Sequence, residues 1–299
     1  MSIRKVVITA AGLGTRLLPM SKEFPKEMLP VYVKSARGLT LKPLLQAIFE
    51  QLYEIGIRDF CFVVGRGKRA IEDHFTPDWD YITKLNNKGK TNLTVELINF
   101  YNMIENSTIL WVNQPEPRGF GHAVLMAKPF VGNESFIVCA GDTYIISKDN
   151  NFLKRMIKIH FEESADATLL LQKVSDPRQY GVAITEYLKK DTYKVLKVIE
   201  KPRESPSNFA IMPFYVFNLT IMDSLENIKP DINGEIQLTD GIQKLISNGK
   251  KVVATLLEDE ELRLDVGTPE TYWEAMKSSY EYMQKIENHN PMSEPKFFR

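Results

Sequence analysis

The apolar run "VVITAA" leads into Gly12, with Gly14 and Arg16 just beyond it. Lys26 follows inside "LPMSKEFPKEMLP", a segment stiffened by Pro19, Pro25 and Pro30. Glycines directly after a buried strand let backbone N–H groups approach an anion closely. The prolines discourage helix and hold the chain extended, so that both cations can fold over one polyphosphate. The chemistry on offer is phosphate binding. Two common nucleotide fingerprints do not apply: Leu17 stands where G-x-G-x-x-G needs its third glycine, and G-x-x-x-x-G-K-[ST] is absent.

Other chemistries find little support. No Ser/His/Asp set suggests itself. His122 follows Gly121 at a helix start and reads as a hydrogen-bonding loop or cap residue. The two cysteines, Cys61 in "DFCFVVG" and Cys139 in "SFIVCAGD", sit in strand-like apolar runs and read as buried free thiols. Without a C-x-x-C pair a zinc site is not expected, and a reducing, cytoplasmic compartment fits. Asp142 and Asp265 end the runs "FIVCAGD" and "LRLD"; taken alone, such residues read as turn or cap positions.

The elements that must carry these residues alternate. "KVVITAAG", "DFCFVVG", "TILWVNQ" and "ESFIVCAGD" read as strands, with helices between them. "KPLLQAIFEQLYEIGI" places Leu44, Leu45, Ile48, Leu52 and Ile55 on one helical face, ended by Gly56. Residues 84–92 read as a polar turn. The alternation predicts an α/β fold with a parallel sheet and helices on both faces. Beyond residue 150 come a helix over "NFLKRMIKIHFEE", a strand at "ATLLLQKV" and a hairpin turning near Lys189–Thr192. "FAIMPFYVFN" is strand-like, with Pro213 marking an edge or a bulge. "GEIQLTDGIQKLISNGK" holds a helix ended by Gly249. A final helix starts at Thr268 as N-cap with Pro269 in its first turn. We expect one domain over 1–287: a nucleotide half at 1–145, a sugar half at 146–267 and a C-terminal helix at 268–287. Residues 288–299 read as a frayed tail.

The stretch from Gly12 to Pro30 resembles the signature of sugar-1-phosphate nucleotidylyltransferases, G-x-G-T-R-(L/M)-x-P followed by P-K-x-(M/L)-L-P. The resemblance runs over about residues 5–285. It implies a Rossmann-like nucleotidyltransferase fold: a mixed, mostly parallel central sheet with helices on both faces and a smaller sugar-binding β-subregion. It also implies roles. Ala11, Gly12, Gly14, Thr15 and Arg16 would embrace the nucleoside triphosphate, and Lys26 would sit near the reacting phosphate. "QPEPRGFGHAV" resembles the base-recognition loop, with Gln114 and Gly119 reading the pyrimidine. "CAGDTY" and "LRLDVGTPE" would give Asp142 and Asp265 as ligands of Mg²⁺, Asp142 also facing the nucleotide. Gly181 in "YGVAI", Glu200 and Lys201 in "VIEKP" and Asn208 in "PSNFAI" would bind the sugar phosphate. Arg16, Lys26 and Lys201 are the implied catalytic cations. "KEMLP", "GFGHAV" and "GEIQLTD" resemble most the bacterial-type UTP–glucose-1-phosphate uridylyltransferases. That implies UTP and glucose 1-phosphate as partners and a homodimer or homotetramer. Alternatives are a dTTP-using or dual-specificity enzyme and, more remotely, a non-catalytic regulatory relative.

Three departures from the family pattern stand out. "VYVKSARGLTLKP" replaces a short V-D-K-P turn and reads as a mobile surface insertion over Lys34–Lys42. Pro213 and Phe214 stand where Gly-Arg is common. Thr9 replaces a frequent proline in the first strand. Composition agrees with a globular enzyme: 43% hydrophobic, 25% charged, and 38 basic against 38 acidic residues. A nucleic-acid binder would show a basic excess. No apolar run approaches the roughly 18 residues that span a bilayer, so no membrane partner is expected.

Overall fold

The computed structural model describes residues 3–35 and 38–289. The chain opens with β1 (Lys5–Ala10), the glycine loop, and a hairpin of β2 (Pro30–Ser35) and β3 (Gly38–Pro43). Then come α1 (Leu44–Glu54), β4 (Asp59–Val64), α2 (Arg69–His74), α3 (Trp79–Asn87), α4 (Thr91–Glu105) and β5 (Thr108–Asn113). The middle comprises α5 (Phe120–Met126), α6 (Lys128–Val131), β6 (Phe136–Ala140), β7 (Thr143–Ile146), α7 (Asn151–Glu162) and β8 (Ala167–Lys173). The remainder is β9 (Gly181–Lys189), β10 (Thr192–Glu200), β11 (Phe209–Phe217), α8 (Thr220–Glu226), α9 (Leu238–Ser247), β12 (Val252–Leu256), β13 (Leu262–Asp265) and α10 (Pro269–His289).

One nine-stranded sheet, ordered β5-β4-β1-β6-β11-β8-β12-β10-β9, runs through both halves. The run β5-β4-β1-β6 is all parallel. Beyond β6 the sheet is mixed, and parallel pairing returns only at β12–β8. β11 joins the halves, lying antiparallel between β6 and β8. Its register slips between Met212 and Tyr215, so Pro213 marks a bulge in a central strand. The missing N–H of Pro213 falls where the ladder is already broken. Two apolar layers cover the sheet. One is built on Ile8, Phe49, Phe60, Phe62 and Phe214, the other on Val7, Val138, Leu169 and Phe217. Cys61 and Cys139 are buried free thiols in these layers, and burial pushes the Cys61 thiol up to about 12.

Two expectations need correction. The turn over 84–92 shrinks to Lys88–Lys90, because residues 84–87 close α3 and residues 91–92 open α4. α4 hides only Thr94, Phe100, Tyr101 and Ile104, a narrow stripe that its polar residues obscure. The Lys34–Lys42 segment is not a mobile loop. Its described residues belong to a hairpin in register from Pro30↔Pro43 to Ser35↔Gly38; residues 36 and 37 lie outside the described residues. Val31 and Val33 point inward, and α10 covers the hairpin: the Tyr32 amide donates to Ser279 Oγ at 3.3 Å and its ring meets Tyr280 at 5.2 Å. α10 begins as expected, with Thr268 Oγ1 accepting from the Thr271 amide, and runs to His289. The rest of the expected tail, 290–299, lies outside the described residues. Among the described residues no helix is long and apolar enough to cross a membrane.

Candidate active site

The parallel strands deliver the site. In open α/β sheets ligands sit beyond the strands' carboxyl ends, where the strand order reverses. Here the chain leaves β1 for β4 and β5 on one side and returns to β6 on the other. A cleft of about 530 Å³ opens at that point. Ala11, Gly12, Gly14, Thr15 and Arg16 line it from the end of β1, Gln114 from β5, and Asp142 from β6. Lys26, Gly119 and Lys201 complete the same wall.

Local geometry explains the glycines. Gly14 is left-handed (φ 66°), and a Cβ there would approach Ser21 Cβ at 3.0 Å; Ser21 Oγ in turn donates to the Gly14 carbonyl at 2.7 Å. A Cβ at Gly12 would meet nothing within 4 Å, so nothing in the chain's packing excludes a side chain there. Gly119 (φ 94°) lies against a second segment, its Cβ position 2.7 Å from the Ile236 carbonyl. The Gly121 amide donates to that carbonyl at 2.8 Å, and the Ile236 amide to the Arg118 carbonyl at 2.9 Å. The loop after β5 is thereby stitched to the approach of α9.

The central charge contact joins Lys26 Nζ to Asp142 Oδ2. Burial alone would lower the Lys26 pKa, but the attraction and hydrogen bond of Asp142, with help from Glu27, outweigh it and the net direction is up. Asp265 is brought beside Asp142 by β13, which pairs with β7 at Asp265↔Thr143, and by the Val266 amide, which donates to the Asp142 carbonyl at 3.0 Å. Burial, then the Asp142 charge, push the Asp265 carboxyl up; Arg263, Lys26 and Arg16 pull it back. Among the described residues no cluster of three or more metal-binding side chains forms. What forms is a pair of carboxylates next to two cations.

Lys201 holds a left-handed backbone (φ 37°) fixed by its amide's bond to the Tyr180 carbonyl at 3.1 Å. A non-glycine residue held there implies strain of about 1 kcal/mol or more. Behind it Glu200 Oε2 accepts from Thr239 Oγ1 at 2.6 Å. A Cβ on Gly181 would stand 2.9 Å from that hydroxyl and 3.1 Å from the carboxylate, so glycine is what lets this contact close. Gly181, Glu200, Asp265 and Asn208 are not among the residues lining the cleft, and Asn208 lies apart from the other three. It precedes β11, its carbonyl accepts from the Val174 amide, and it lines a separate depression with Asp176 and Arg178.

A nucleotidyl transferase family model matches residues 5–281. The chain belongs to that family. Among curated nucleotidyl transferases it is 39% identical to the UTP–glucose-1-phosphate uridylyltransferase of Staphylococcus epidermidis, over 95% of this chain and 93% of that protein. It is 35% identical to the protein of the same name from Pseudomonas aeruginosa, over 95% and 98%. A crystal structure of a UDP-glucose pyrophosphorylase complexed with UDP-glucose superposes with TM-score 0.81 at 32% identity, covering 94% of this chain and 99% of that one.

Several residues of this nucleotidyl transferase site escape the sequence reading. Glu27 is 1% exposed and bonds Lys68 Nζ at 2.7 Å, a buried pair directly behind Lys26. Burial drives the Glu27 carboxyl up, against the opposing pull of Lys68 and Lys26. Pro213, expected at an edge or a bulge, and Thr9, expected only as a departure from the family pattern, both line the cleft, and the Thr9 carbonyl accepts from the Gly141 amide at 2.9 Å. His122, expected as a hydrogen-bonding loop or cap residue, bonds the side chain of Gln114, a partner the sequence does not mark. No local signal marks Lys68, which lies 41 residues from its partner.

Proposed function

We propose that this nucleotidyl transferase moves a uridylyl group from UTP to glucose 1-phosphate, giving UDP-glucose and pyrophosphate. One observation carries the reading: a single cleft gathers the glycine loop, Arg16, the Lys26–Asp142 pair, Gln114 with Gly119, and Lys201. The names of the relatives supply the substrates.

The sugar phosphate oxygen forms a bond to the α-phosphorus as the bond to the pyrophosphate oxygen breaks. The attacking oxygen is already anionic, so no general base is needed. The barrier is charge repulsion and in-line alignment, which positioned cations lower. Lys201 holds the incoming phosphate, Lys26 neutralises charge growing on the α-phosphate, and Arg16 with the loop amides holds the departing pyrophosphate. Gln114 and Gly119 read the base, while Gly181 and Glu200 face the sugar. Asp142 and Asp265 suit Mg²⁺, a hard cation satisfied by few carboxylates plus phosphate oxygens and water. Bound there, the ion would supply further charge neutralisation at the phosphates. The first half of the chain thus serves the nucleotide and the second the sugar phosphate. Trp273, 65% exposed on α10, and Leu41 on the hairpin favour association with a second copy.

The test is pyrophosphate release from UTP and dTTP with several sugar 1-phosphates. UTP with glucose 1-phosphate should give the highest kcat/KM. Preference for dTTP would reassign the base, and the absence of turnover with every pair would overturn the reading.

A further inference from the structure

Gln114 continues β5, its amide donating to the Val64 carbonyl at 2.8 Å, and is 4% exposed. Its Nε2 donates to the Gly119 carbonyl at 3.3 Å and stands 2.8 Å from His122 Nδ1. A carbonyl oxygen only accepts, so the end of the amide that faces Gly119 is the NH₂ end. The second hydrogen of that nitrogen is then directed at His122. Nδ1 must present its lone pair, and the ring proton sits on Nε2. The amide oxygen is what remains. Gln114 Oε1 has no partner among the described residues, yet it is not one of the buried side-chain oxygens left unpaired, so it opens on the cleft that Gln114 lines.

Helix α5 holds the ring in place. Gly121 tolerates no side chain, its Cβ position lying 2.8 Å from the Ile236 carbonyl that its amide binds. The residue after it is therefore fixed relative to Gln114. Burial and the Arg118 charge lower the pKa of His122, against the pull of Glu116, so the ring is neutral as the lone pair requires.

We propose that His122 is a specificity-determining positioning residue: its Nδ1 fixes the Gln114 amide with Oε1 toward the base, which selects pyrimidines that carry an N3–H over cytosine. This deepens the reading of Gln114 and Gly119 as the base site, and rests on it. Uracil and thymine carry a hydrogen on N3, whereas N3 of cytosine is an acceptor. Two acceptors facing each other in a buried site leave both unpaired. Sites built to hydrogen-bond a donor reject analogues lacking it by up to about 10⁴-fold or more. Were the amide free to turn, Nε2 would face the base and suit cytosine.

The experiment measures binding and kcat/KM of UTP and CTP for the wild type, His122→Leu, His122→Asn and Gln114→Ala. In His122→Leu the UTP:CTP ratio should fall at least tenfold, mainly through a higher KM for UTP. Asn places an acceptor oxygen near the position of Nδ1 and should restore much of the ratio. The wild type should reject N3-methyl-UTP as it rejects CTP, a measurement that holds even if a variant misfolds. An unchanged ratio in His122→Leu, equal loss for both nucleotides, no recovery in a folded His122→Asn, or acceptance of N3-methyl-UTP would each overturn the proposal. If Gln114→Ala binds UTP as tightly as the wild type, the base-site reading itself falls. If Gln114→Ala weakens UTP while His122→Leu keeps the ratio, only the role of His122 falls.

Discussion

Lys26 and Lys201 line one cleft but sit in different electrostatic surroundings, and kinetics should separate them. The Lys26 side chain is 12% exposed and bonded to Asp142; that of Lys201 is 59% exposed, with Glu200 Oε1 3.4 Å away. A unit charge about 4 Å from another, at an effective dielectric near 20, contributes about 4 kcal/mol. If that charge develops only in the transition state, the Lys26→Ala substitution should lower kcat by about 10³. Its KM values should move little. In the proposed reaction Lys201 would meet a charge already present on the ground-state sugar phosphate, with water screening it. Lys201→Ala should raise KM for glucose 1-phosphate by about tenfold or somewhat more, a change of about 1–2 kcal/mol, with a smaller effect on kcat. Melting separates fold from chemistry. Lys26→Ala leaves Asp142 without its cation and should cost about 1–2 kcal/mol of stability. Lys201→Gly should cost nothing, because the left-handed backbone at φ 37° suits glycine. The assay is steady-state pyrophosphate release with each substrate varied in turn. The reasoning is refuted if the two alanine variants share one kinetic pattern, or if neither loses more than about tenfold in kcat/KM.

If they hold Mg²⁺ as proposed, Asp142→Asn and Asp265→Asn should each cut turnover by about 10² or more at saturating Mg²⁺, since a metal at a phosphoryl site supplies several kcal/mol; near-wild-type rates in either variant would remove it from the proposed metal pair. Lys68→Met leaves Glu27 buried and unpaired, so denaturant melts should show a loss of about 3–5 kcal/mol, with most of it recovered when Glu27→Gln is added. A loss under about 1 kcal/mol would show that solvent reaches Glu27. His74 and His160 are held neutral by burial, each pushed from 6.5 down to about 4. Between those values the unfolded chain takes up protons that the fold refuses. Stability should therefore fall on acidification from pH 6.5 toward 4, by about 1.4 kcal/mol per pH unit for each ring. Melts that stay flat from pH 6.5 to 5 would contradict this, and His160→Gln should lessen the slope.

Much of this molecule is decided by neighbours in the chain. Strands β1, β4 and β6, the helical face from Leu44 to Leu52, the stop at Gly56 and the cap at Thr268 depend on contacts within a few residues, so spacing exposes them. The bulge at Pro213 is local too, since an absent N–H shows in the residue type itself. The hairpin from Pro30 to Pro43 was equally local in principle: V-Y-V-K and L-T-L-K alternate with period two, and the intervening S-A-R-G, rich in loop-forming residue types, hid that signal. Motif spacing likewise marked the loop from Gly12 to Arg16. Tertiary structure decided the rest. It chose Asp142, 116 residues away, as the partner of Lys26. It placed Lys68 behind Lys26, set Asp265 beside Asp142, left Asn208 lining a separate depression and pointed His122 at Gln114. These outcomes depend on strand order and register, which the summed burial of two apolar layers fixes. A lone lysine or histidine carries no local sign of which distant group the sheet will set against it.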